Sequence, residues 1–308
     1  MMELLPVIES ILTLFILIII GFTAYRAGVI TRTGVTGLSS LLVNITLPCL
    51  ILQSMQVPVT SDRIGQMQVI FLIELLVYTV SFGCAFIVPY LFHSSRFEAG
   101  VLRFMLIFSN LGFMGYPVCE TFFGPESLFY VTLINIPFGL LVFTLGIFLL
   151  RPDLIQQPDF RKICSPGLVF SLIGLAFFFT GVTIPSPVSE SISLLGSVTT
   201  PLAMIVIGSL LATLPVGAMI GDIRIWVISL FRLGILPLII LIILRPLVAD
   251  PLLLGVPVLL VAMPVAANTV LLAEEYGANA ELASKGVFLS TLLSVVTIPL
   301  MALLIGTG

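Results

Sequence analysis

The stretch SNLGFMGYPV, Ser109 to Val118, decides how this chain is read. It lies inside a long apolar run, yet it carries an asparagine, two glycines and a proline, all poor residues for the interior of a membrane helix. A proline there removes a backbone donor and clashes with the preceding turn, at a cost of about 3 kcal/mol or more. Unpaired backbone groups in hydrocarbon cost several kcal/mol each, so such a break survives only where protein or a water-filled cavity covers it. The stretch therefore predicts an interrupted helix whose broken ends face the inside of a membrane protein.

Composition supplies the membrane. The 308 residues are 59% hydrophobic and 9% charged, against roughly a quarter charged in soluble domains. Ten apolar segments stand out, at 8–25, 35–55, 69–90, 99–123, 128–150, 163–180, 192–214, 223–244, 252–276 and 282–305. Each approaches the length of about 20 residues that a bilayer requires. The N-terminal run lacks a basic leader and a small-x-small cleavage site, so Ile8 to Tyr25 is read as a retained span. The links are short, and the most polar is RPDLIQQPDFRK, Arg151 to Lys162. A net charge of −3 says nothing about nucleic acid, but no basic cluster or aromatic–basic interleaving supports such a partner, and none is expected.

Basic residues set the orientation. Arg26, Arg32, Arg96, Arg103, Arg151, Arg161, Lys162, Arg224 and Lys285 follow odd-numbered spans; only Arg63 and Arg245 fall on the other side. The positive-inside rule then places both termini on the non-cytoplasmic face of the cell membrane. Trp226 falls near a cytoplasmic interface, where an amphipathic ring is expected.

The chain also echoes itself. LLVNITLP (Leu41 to Pro48) matches LLGSVTTP (Leu194 to Pro201) at Leu, Leu, Thr and Pro, about half the chain apart, and Ile136-Pro137 matches Ile298-Pro299. A repeated unit of five spans must cross in opposite directions, which makes an inverted pair, a common transporter plan. The fourth span then has a partner in the ninth, MPVAANTVLLAEEYG (Met263 to Gly277), which carries Pro264 and Asn268 where the fourth carries Pro117 and Asn110. Each second half-helix is expected to begin near its proline and to aim its free N–H groups at the crossing, a seat for an anion. Gly112 and Gly115 are expected to allow close backbone approach, and Asn110 and Asn268 add amide donors.

These residues resemble the auxin efflux carrier family, which holds the plant PIN-formed exporters and bacterial permeases for malate and malonate. SNLGFMGYPVCETFFG, MPVAANTVLLAEEYGANAELASKGVFLSTLLSVVTIPL and NITLPCLI carry the resemblance, which spans essentially the whole chain. The central loop is short here, where many plant members have a long cytoplasmic one. The resemblance implies an all-α integral membrane fold of ten transmembrane helices in two inverted five-helix repeats, residues 1–150 and 163–308 joined by a linker at 151–162, like bile-acid/sodium symporters. Helices 1, 2, 6 and 7 would form a scaffold, through which members dimerise. Helices 3–5 and 8–10 would form the moving transport unit, with helices 4 and 9 crossing at the substrate. Carried over, the site residues are Asn110, Pro117, Pro264 and Asn268, the two asparagines facing a substrate carboxylate; Gly112 and Tyr116 are further candidate binding residues.

Ionisable residues within spans are functional candidates by default. Arg232 is expected to pair either a substrate carboxylate or a buried one such as Glu74; Glu74 is a candidate proton carrier; Glu120 suits a helix N-terminus. His93 is given no role, and Cys49, Cys84, Cys119 and Cys164 are read as buried small hydrophobes rather than a metal site or disulfide framework. No cofactor or metal is expected. The function expected is secondary transport of small organic anions, auxin-like or malate-like carboxylates, by an elevator movement. The alternatives are an ion-coupled symporter of another solute and a non-transporting sensor or channel. No Walker motif or catalytic constellation suggests an enzyme.

Overall fold

The computed structural model describes residues 4–87, 96–151, 164–213 and 221–306. His93 and all but the first residue of the 151–162 linker lie outside them. Regular structure is helical throughout the described residues, apart from one isolated antiparallel bridge between Ser109 and Val265. The helices are α1 (Leu4–Arg26), α2 (Arg32–Ser54), α3 (Ser61–Ile87), α4 (Arg96–Ile107), α5 (residues 111–123), α6 (Ser127–Leu150), α7 (Pro166–Thr180), α8 (Val188–Thr213), α9 (Ile223–Leu244), α10 (Pro251–Val261), α11 (Asn268–Glu275) and α12 (Ala280–Gly306). Six of them, α2, α3, α6, α8, α9 and α12, are long and apolar enough to cross a bilayer by length and composition. The fold is that of an integral membrane protein.

Proline placement shapes these helices. In α2, α5 and α9 a five-residue π-turn ends two positions before a proline: Leu42–Thr46 before Pro48, Leu111–Gly115 before Pro117, and Phe231–Ile235 before Pro237. A proline ring clashes with the carbonyl four residues back. Widening the preceding turn to bonds five residues apart relieves that clash without ending the helix. Leu47, Tyr116 and Leu236 each donate to the carbonyl five residues earlier, Leu42, Leu111 and Phe231. The π-turn in α9 holds Arg232.

Polar caps start several helices. Thr31, Ser165, Asp222 and Asp250 accept backbone N–H bonds at the N-termini of α2, α7, α9 and α10. Both α5 and α11 stop at a glycine with positive φ, Gly124 at 78° and Gly277 at 65°, a backbone region that other L-residues occupy only at a cost.

Two apolar clusters organise the packing. One gathers residues of α1, α2, α3, α5, α6, α7, α8, α10 and the second half of α9 with the far end of α12. The other gathers α4, α11, the first half of α9 and the near half of α12, with the ends of α3 and α6. Thus α4 shares a cluster with α11, and α5 shares one with α10. Each piece of one interrupted run lies with the opposite piece of the other, and the Ser109–Val265 bridge sits at the junction. Elsewhere α1 and α8 touch backbone to backbone: a Cβ at Gly21 would run into the Ile205 carbonyl, and one at Gly208 into that of Ile18. The outer faces carry exposed large apolar side chains, among them Ile19, Leu172, Ile242 and Val296, as a lipid-facing surface requires.

Cys119 is buried, Cys49 and Cys84 are half-buried, and Cys164 is exposed, so the reading of all four as buried is corrected for Cys164, which sits just ahead of the Ser165 cap.

Candidate functional site

The site is built where the two interruptions meet. Asn110 N donates to Pro264 O at 2.8 Å, and Ala266 N donates to Phe108 O at 3.2 Å. Val265 N donates to Ser290 Oγ at 3.1 Å, from α12. The Arg232 guanidinium takes three further carbonyls: Nη1 donates to Leu106 O at 2.5 Å and to Ile107 O at 3.3 Å, and Nε to Met263 O at 3.3 Å. These bonds satisfy several of the backbone groups freed at the break with protein partners, which is the condition for irregular backbone inside a membrane protein.

The first interruption falls at residues 108–110. Asn110 is the N-cap of α5, and its Oδ1 accepts from Phe113 N at 3.3 Å. The second half therefore restarts at Leu111, not beside Pro117 as the sequence suggested. The reason is physical: an asparagine cap ends one helix and opens the next, while the π-turn lets Pro117 sit inside the new helix. In the second run Pro264 lies in the break and α11 restarts at Asn268.

Capping also orients the Asn110 amide. With Oδ1 turned to its own helix, Nδ2 faces away and donates to no described residue, although Asn110 is only 4% exposed. Asn268 is half-buried, and its side chain bonds to no described residue either. Two amide donors at the starts of α5 and α11 are therefore unspent.

The other candidates divide. Gly115 packs closely, since a Cβ there would meet the Leu260 side chain of α10 at 2.7 Å and require it to shift, whereas one on Gly112 would find only Leu47 at an ordinary 3.9 Å. Tyr116 is fully buried, and its hydroxyl donates to Thr132 Oγ1 at 3.4 Å, which lies 3.0 Å from Ser54 Oγ. Nearby, Asn135 Nδ2 donates to Ser171 Oγ at 3.0 Å. This buried hydroxyl and amide network joins α2, α5, α6 and α7. Glu120 accepts from Thr200 Oγ1 at 2.8 Å, tying α5 to α8. Glu74 is 4% exposed and makes no hydrogen bond or ion pair with a described residue. The expected Arg232–Glu74 pairing is not among the contacts; Arg232 is 1% exposed and bonds to backbone carbonyls instead. Among the described residues no cluster of three metal-ligating side chains occurs.

Sequence reading missed Ser290 and the carbonyl-binding role of Arg232. The Ser290, Thr291, Ser294 and Thr297 run along α12 is the signal for the first, a polar stripe on a helix that has to meet polar backbone.

A bundle of apolar helices with two interrupted runs paired at its buried centre is the architecture of a membrane transport protein. The comparisons agree: a family profile described as membrane transport protein matches residues 6–158 and 154–302. The chain belongs to that family, the auxin efflux carriers of the sequence resemblance. It is 27% identical over 304 residues to an uncharacterized transporter of Methanothermobacter thermautotrophicus, covering 96% of this chain and 98% of that one. It is 24% identical over 304 residues to an uncharacterized transporter of Methanocaldococcus jannaschii, covering 95% and 96%.

Proposed function

We propose that this protein is a secondary carrier of small organic anions, with the substrate carboxylate held between the starts of α5 and α11. The observation that carries the reading is the unspent pair of amides, Asn110 Nδ2 and Asn268, at two helix N-termini brought together by the Asn110–Pro264 hydrogen bond. Helix N-termini favour negative charge, and amide donors fix a carboxylate in place. Gly112 lies one residue into α5 with room beside it, while Tyr116, Pro117 and Pro264 shape the backbone on either side.

In this reading the helices make ten spans in two inverted repeats, residues 1–150 and 163–308. The scaffold is α1, α2, α7 and α8, and a second copy joins through it. The transport unit is α3 to α6 with α9 to α12, and it moves as an elevator in the cell membrane, with both chain termini on the non-cytoplasmic side. Glu74, buried without a described partner, is the residue we assign to proton coupling, since an intramembrane carboxylate is costly unless it has a task.

The test is flux. Purified protein in liposomes, loaded with malate, malonate or indole-3-acetate, is expected to show saturable uptake and counterflow for one carboxylate class. Dependence on a pH gradient is expected to vanish in Glu74→Gln. Flux that never saturates would instead mark a channel, and flux requiring sodium would remove Glu74 from the coupling role.

A further inference from the structure

The paired interruptions bring four helix ends to one place. α4 and α10 arrive with their C-termini, and α5 and α11 leave with their N-termini. Each end carries about half an elementary charge, negative at a C-terminus and positive at an N-terminus. Two of each sign cancel to first order, so the pairing of broken helices does not by itself favour an anion.

Arg232 breaks the balance. Its guanidinium spans both negative ends, bonding Leu106 O and Ile107 O at the end of α4 and Met263 O just past α10. Arginine is well matched to this task, with several donors in a rigid fork and a charge it does not lose. The residue is 1% exposed and forms no ion pair with a described carboxylate, so its charge acts in a region of low dielectric. The free donors lie on the opposite, N-terminal ends. Arg232 comes from α9, a helix outside both interrupted runs, and is aimed by the π-turn ahead of Pro237.

We infer that Arg232 sets the charge selectivity of the carrier: it quenches the C-terminal ends of α4 and α10, leaves a net positive field at the starts of α5 and α11, and does so without touching the ligand. It is a positioning residue for the two helix ends and a specificity-determining one for the site. The inference rests on the anion reading for its biological meaning. The field itself can be read without any substrate.

The measurement places a thiol at the site. Asn268→Cys is made in the full chain with Cys49, Cys84, Cys119 and Cys164 replaced by alanine. The rates of its reaction with an anionic methanethiosulfonate (sulfonatoethyl) and a cationic one (trimethylammonioethyl) are measured and referred to a free thiol. With Arg232 present, the anionic reagent is expected to be favoured by about tenfold or more over the free-thiol ratio. Arg232→Lys, which keeps the charge, is expected to hold the ratio within about threefold, and Arg232→Gln, which keeps amide donors but not the charge, to lose it. Glu74 is common to all three chains and cancels from the comparison.

A ratio at the free-thiol value with Arg232 intact overturns the inference, and that arm needs no arginine variant to fold. So does an equal fall in Lys and Gln variants, which would assign Arg232 to backbone geometry alone. Carboxylate flux with a free-thiol ratio would defeat this inference and leave the transport reading standing; a high ratio without carboxylate flux would do the reverse.

Discussion

Asn110 does two things with one side chain, and substitutions can separate them. Its Oδ1 caps α5 through Phe113 N, and its Nδ2 donates to no described residue. Asn110→Asp keeps the cap and replaces the donor by a negative oxygen. It is expected to fold with stability within about 1 kcal/mol of the parent, yet to lose carboxylate uptake at least about tenfold. Asn110→Ala loses both, and its unfolding midpoint is expected to fall by the equivalent of about 0.5–2 kcal/mol. Asn268 caps nothing, since the N-cap of α11 is Ala267 with no side-chain bond. Asn268→Ala is therefore expected to raise KM with stability unchanged. Thermal unfolding and flux measured on the same preparations check all three; an Asn110→Asp carrier that transports as well as the parent removes the amide from the site. Sequence showed both asparagines because polar amides are rare in apolar runs. It did not show that one of them is a cap, since capping depends on where the helix breaks, and Pro117 pointed to the wrong place. Arg232 and Ser290 reach across from α9 and α12; the polar stripe along α12 marks Ser290 as a candidate, but which backbone groups either residue meets is set by tertiary contacts.

The elements follow from two kinds of residue, prolines and glycines, used in opposite ways. Prolines at 48, 117 and 237 sit inside their helices without breaking them, each following a π-turn. The apolar pattern revealed the helices and the prolines revealed disturbance. The π-turn itself was hidden, because a one-residue widening leaves the period almost unchanged. Glycines act by contact. Gly208 faces the Ile18 backbone with no room for a methyl group, while Gly37 has nothing within 4 Å of where its Cβ would be. The same chemical change should then have opposite signs. Gly37→Ala is expected to stabilise by up to about 1 kcal/mol through helix propensity, and Gly208→Ala to destabilise by about 1–3 kcal/mol through overpacking. Denaturation of the two variants in one detergent decides it, and a neutral Gly208→Ala would mean α1 and α8 are not in backbone contact. At the head of α9, Arg224 hydrogen-bonds Asp222 and holds its carboxyl below the usual carboxylate range. A lowered value contributes stability above the ordinary carboxylate pKa of about 3.9, lost as pH falls through the lowered one. Asp222→Asn is expected to be less stable than the parent at pH 7 and to converge with it at more acid pH.

At the scale of the whole molecule the argument turns on what moves. Composition and span count placed the chain in the membrane, and the two disturbed runs pointed to one another. Their partners in the antiparallel bridge, Ser109 and Val265, were not legible, because a register between distant segments is set only when the helices pack. The bond from Thr200 to Glu120 at 2.8 Å joins α8 to α5, which the proposed partition assigns to scaffold and transport unit. An elevator must break it in every cycle. Tyr130 donates to Gln66 at 2.8 Å, joining α6 to α3 within the transport unit, and that bond can persist throughout. Cysteine pairs at 120 and 200, and at 66 and 130, are introduced into the chain lacking its native cysteines and bridged with a short reducible crosslinker. The first bridge is expected to stop flux and reduction to restore it; the second is expected to leave flux within about twofold, since it constrains no relative motion between the two bodies. Undiminished flux through the 120–200 bridge would show that α5 and α8 keep their contact while substrate crosses, and the moving boundary would then have to lie elsewhere in the bundle.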